Sequence, residues 1–142
     1  MTLLVGELNI MTSTFTRNRR LSKLSGILML TAGAFNILWL IAVFTRILDV
    51  KEFLRLTWVI SPFPYIILDV GFGGNAFIAS VLAILFILGI FLSIIGGSLT
   101  LSRKPQAALI GAAGAFICVP LLGIAAFIIT VMVRRGNREE KS

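Results

Sequence analysis

The chain has 142 residues, 58% hydrophobic and 13% charged, about half the charged fraction of a soluble domain, and its mean hydropathy is +1.02; an ordinary soluble fold is excluded. A net charge of +7 on a soluble domain would point to nucleic acid. Here Arg17, Arg19, Arg20 and Lys23 precede the first apolar run and Arg134, Arg135, Arg138 and Lys141 follow the last, the placement of juxtamembrane anchors, so the expected partner is the lipid bilayer and no nucleic acid is expected.

Residues 1–25 read as a polar, basic leader in which Met11 is an alternative start to Met1. Residues 26–47 carry no charge before Arg46 and, at about 1.5 Å per residue, cover a hydrocarbon core about 30 Å thick. They form the first transmembrane helix, uncleaved because no small-residue cleavage site follows. Residues 53–72 are apolar but hold Arg55, Asp69 and the Pro62-Phe63-Pro64 sequence. The uncharged stretch is too short to span, and residues before proline avoid the helical region. This segment reads as interfacial, re-entrant or a broken fourth span, with Trp58 and Tyr65 at headgroup level. Residues 76–101 form the second clear span, with Asn75 placed to cap its start. Residues 106–133 form a third, about 42 Å long if straight, so that it must tilt, kink at Pro120 or emerge. Residues 134–142 read as a charged, disordered tail. The fold class is therefore an all-α integral membrane protein with three clear transmembrane helices plus the doubtful segment. The positive-inside rule favours four crossings and segment length favours three; both place the N-terminus in the cytoplasm.

In lipid, helices approach closely where residues are small. Gly89, Ser93 and Gly97 recur at every fourth residue of the second span, as do Ala107, Gly111 and Ala115 on the third. Only residues 102–106 join the two spans, which makes them antiparallel neighbours, and the expectation is that these stripes face each other; a lipid-facing or homodimer role is the alternative. Asn36 can hydrogen-bond between helices. Asp69 is the one ionisable candidate for an intramembrane site, or it marks the membrane boundary.

The absence of His and the single Cys put the usual metal, haem and nucleophile–base sets out of reach. No catalytic residue, metal or cofactor is expected, and Cys118 reads as a small hydrophobe. The Gly96-Gly97-Ser98-Leu99 end of one helix, the Lys104-Pro105 turn and the glycine-bearing helix through Gly111 resemble the central hairpin of small prokaryotic multi-spanning membrane proteins of uncharacterised function. That resemblance implies a compact three- or four-helix membrane protein without a known enzymatic activity. The functional expectation is a structural or accessory protein that packs against itself or a larger membrane complex. A holin-like permeation protein and a small carrier using Asp69 are the alternatives.

Overall fold

The computed structural model describes residues 1–44, 58–102 and 104–139, the side chains of 42–44, 105 and 139 excepted. Arg46, Arg55 and Lys141, named in the charge reading, lie outside the described residues. The regular secondary structure of the described residues is all helical: α1 (Thr2–Phe44), α2 (Pro62–Phe72), α3 (Ala76–Leu101), a short 3-10 turn (Pro105–Ala107), α4 (Ala108–Cys118) and α5 (Pro120–Glu139). Three are long and apolar enough to cross a membrane: α1 over Thr2–Ile41, α3, and α5 over Pro120–Arg138. α2 and α4 have 11 residues each, about 16 Å by helix rise, and cannot.

Pairs of contacts fix the direction of each helix against α1. Met29 of α1 lies beside Ser93 of α3 and Gly26 beside Gly97 and Leu101, whereas Gly33 lies beside Ile90 and Ile94, so α3 runs antiparallel to α1. Met29 also meets Gly111, and the Asn36 level meets Cys118 through Ser61, so α4 runs parallel to α1. Ser25 meets Ala126 and Thr130, and Asn18 meets Asn137, so α5 runs antiparallel to it again. α4 and α5 are therefore the two limbs of a hairpin whose apex is Val119.

This corrects the expected third span at residues 106–133, which is not one tilted helix. Val119 leaves the helical region with φ −138° and ψ 94°, as a residue before proline does, and Pro120 then starts a new helix from a position where its missing N–H costs nothing. Gly123 makes the sharp reversal fit: a Cβ there would collide with the Cα and backbone N of Phe116. A second hairpin mirrors the first. Phe63 of α2 stacks on Phe86 of α3 at 6.4 Å between ring centroids, and Gly71 approaches Ala79, so α2 rises antiparallel to α3 towards the turn at Gly73-Gly74-Asn75. Gly74 has φ +90°, a left-handed conformation open to glycine at no steric cost. Asn75 takes the N-cap position of α3 but makes no side-chain cap bond, contrary to expectation.

Two further boundaries differ from the sequence reading. The leader is helical from Thr2, continuous with the first span, and its hydroxyls return to its own carbonyls: Thr12 to Leu8, Thr14 to Ile10 and Thr16 to Thr12, at 2.7–2.9 Å. That self-satisfaction lets Ser and Thr sit in an exposed helix. The charged tail continues α5 as far as Glu139.

Candidate functional site

The small-residue stripes face each other only in part: Gly89 and Ser93 turn to α4 and Ala107 and Gly111 to α3, but Gly97 does not. α3 and α4 are antiparallel neighbours, but Gly96 meets Gly111, and Gly89 meets Gly114 and Ile117, while Gly97 turns to α1, where a Cβ would stand 2.9 Å from the Gly26 carbonyl oxygen and 3.0 Å from Leu30. The reason is rotational. Each residue turns the helix by about 100°, so Gly89 and Gly96, seven apart, are nearly in line, whereas Gly97 lies a quarter turn away. Ser93 sits at the three-helix junction, its Oγ donating to the Met29 carbonyl at 2.6 Å while its backbone N lies beside Gly114. Ala107 lends its carbonyl to the Gly96 contact, and Ala115 is fully buried in the core with Met29, Ala32 and Ala112.

Asn36 anchors the most buried polar cluster. It stands on α1 about 20 Å beyond Lys23 by helix rise, within the stretch of α1 that is long and apolar enough to cross a membrane. Its Nδ2 donates to the Ala32 carbonyl at 2.8 Å. The Ser61 hydroxyl lies 3.2 Å from Asn36 Oδ1 and 2.6 Å from the Cys118 carbonyl oxygen. This cluster joins the start of α2 to the end of α4, where both hairpins interrupt regular helix within the apolar part of the bundle. Such an interruption exposes backbone groups that lipid cannot satisfy. The Cys118 carbonyl is answered by Ser61, and Val119 N–H by the Ala115 carbonyl at 2.7 Å. Orphan donors are reduced by proline, which has none: Pro62 and Pro64 open α2, and Pro120 opens α5. One turn beyond Asn36, the buried Trp39 Nε1 has no hydrogen-bond partner among the described residues.

Asp69 is not brought to this cluster. It is exposed on α2, two turns beyond Ser61 towards the Gly71–Ala79 end, and its carbonyl accepts the Gly73 N–H at 2.9 Å. Sequence reading also missed Asn18, Ser25, Ser61 and Thr130, all buried. For Asn18 and Ser25 a signal was present as a spacing: Asn18, Ser25, Met29 and Asn36 follow intervals of 7, 4 and 7 along one face of α1, and each offers a polar atom to another segment of the bundle. Asn18 Nδ2 donates to Asn137 Oδ1 at 3.3 Å, and Ser25 Oγ lies 3.0 Å from Thr130 Oγ1.

The antiparallel pairings also gather charge. Arg17, Arg19, Arg20 and Lys23 of α1, Lys104 after α3, and Arg134, Arg135 and Arg138 of α5 all fall at one end of the bundle, to which Gly26–Leu101 and Asn18–Asn137 belong. The described residues contain no group of three or more potential metal-binding His, Cys, Asp or Glu side chains. The chain matches no known protein family, curated protein or solved structure.

Proposed function

We propose that this is a non-catalytic membrane protein of structural or accessory type, its basic end in the cytoplasm, that packs against a larger membrane complex or a second copy of itself. The observation that carries this reading is the outer face of α3. Phe77, Ile84, Leu88, Phe91 and Ile95 are exposed at intervals of 7, 4, 3 and 4, one continuous stripe of large side chains along a single helix face. The opposite face is given over to glycine contacts within the bundle. The arrangement of charge supports the orientation, since basic residues favour the cytoplasmic side.

Purification from the native membrane in mild detergent, with particle sizing and mass spectrometry of what is retained, tests the reading. A stoichiometric larger complex or a defined homo-oligomer is expected, and a lone monomer retaining no protein overturns it. The two interrupted hairpins meeting inside the apolar layer favour a second reading, a small carrier, because transporters place substrate where helices break. That reading requires Asn36→Leu or Asp69→Asn to abolish a measurable flux.

A further inference from the structure

At the basic end the described residues leave an opening in the bundle. Between α1, α4 and α5 lies a cleft of about 1180 Å³, many times the volume of a single phosphate ion. Its walls include Leu109, Phe127 and Val131, and Arg134, Arg135 and Arg138 stand at its mouth. Ser22, Ser25, Thr100 and Thr130 add hydroxyls, of which Ser25, Thr100 and Thr130 are already bonded within the bundle. The cleft thus grades from apolar walls to a cationic mouth. Among the described side chains the acidic ones are Glu7 and Asp69, and neither stands at this cleft. Asp69 lies at the other end of the molecule, and Glu7 is on the protruding start of α1, about 15 Å from Arg17 by helix rise.

Arginine presents a planar fork that fits phosphate oxygens in pairs, and Arg134 and Arg138, four apart on α5, fall on one helix face. Like charges so placed repel, and an anion between them relieves the repulsion. Basic pockets between helices on the cytoplasmic side are where anionic headgroups bind. We propose that this cleft binds an anionic phospholipid of the leaflet at the basic end, the arginines holding the phosphodiester and the apolar walls taking the adjoining glycerol and chain. Free phosphate shares the oxyanion chemistry but leaves the apolar walls unfilled.

The test uses the full chain in mild detergent. Binding is read by native mass spectrometry and thermal shift on titration with phosphatidylglycerol, phosphatidylcholine or inorganic phosphate. Phosphatidylglycerol is expected to bind one per chain and raise Tm, with phosphatidylcholine and inorganic phosphate far weaker. Arg134→Gln with Arg138→Gln, both exposed, is expected to weaken binding about tenfold or more. Ser22→Trp, which fills the cleft without changing charge, is expected to abolish it. Arg17→Gln with Arg20→Gln, on the opposite face of α1, is expected to leave it unchanged. Equal binding of phosphatidylcholine overturns the proposal, as does an equal loss in the Arg17/Arg20 variant, which would make the effect one of general surface charge. Inorganic phosphate matching the lipid overturns it in favour of a soluble anion.

Discussion

Gly96 and Gly89 lie on the same face of α3 but tolerate a methyl group very differently. A Cβ on Gly96 collides with the Cα of Gly111 and stands 2.6 Å from its N, whereas on Gly89 it meets the Ile117 side chain at 3.0 Å. Backbone cannot move without separating α3 from α4, but a side chain can shift. Gly96→Ala is therefore expected to destabilise by about 3 kcal/mol, Gly89→Ala by about 1 kcal/mol or less, and Gly6→Ala, with nothing within 4 Å, not at all; detergent unfolding of the three variants checks the order. Ser61→Ala leaves the Cys118 carbonyl without its 2.6 Å donor and is expected to lose about 1–3 kcal/mol, read in the same assay. Asn36 stood out in the sequence because it is a lone amide in an apolar run. Its partner Ser61 did not, since a serine before Pro-Phe-Pro looks like an ordinary turn residue until the fold carries it to the Asn36 level. The same limit applied to Gly96 and Gly97: composition announced a close approach, but a single-residue rotation decided which helix each one meets.

At the scale of elements, hydropathy found the apolar runs and could not see a reversal inside one of them. Residues 106–133 have the composition of a long span, and Pro120 announced an interruption. Whether a proline bends a helix or ends it depends on what the two limbs can pack against. Here Gly111 and Gly114 let α4 settle on α3, Ala126 and Thr130 fit α5 to Ser25 of α1, and Gly123 admits Phe116. The hairpin wins because both limbs find partners. Pro120 serves it, and Pro62 and Pro64 serve the α2–α3 hairpin, by lacking a hydrogen, and any replacement adds an N–H to a helix start within the apolar part of the bundle. A saturation scan at these positions is expected to show a common floor of destabilisation, largely independent of the size or polarity of the new side chain. A scan whose penalties track side-chain volume would instead assign these prolines to packing.

For the whole molecule, the hairpins decide where the chain ends up. If residues 106–133 crossed once, the two ends of a three-span protein would lie on opposite faces; the observed pairing of Asn18 with Asn137 puts them on the same one. Thr2→Cys and Ser142→Cys, labelled separately with a membrane-impermeant maleimide in sealed vesicles of known orientation, are expected to react from the same side. Cys118, fully buried, is expected to stay silent as an internal control. Labelling from opposite sides would refute the α4–α5 hairpin. The bonds that join Asn18 to Asn137 and Ser25 to Thr130 span 119 and 105 residues of sequence, so they tie the first helix to the last described one. During synthesis α1 emerges long before α5 exists, and its Ser25 face must wait, open, while α3 and α4 are made. Assembly of this protein therefore has a clasp that closes last. A ribosome that stalls before α5 releases a product with its central post exposed, a state that a membrane protease can distinguish from the finished chain.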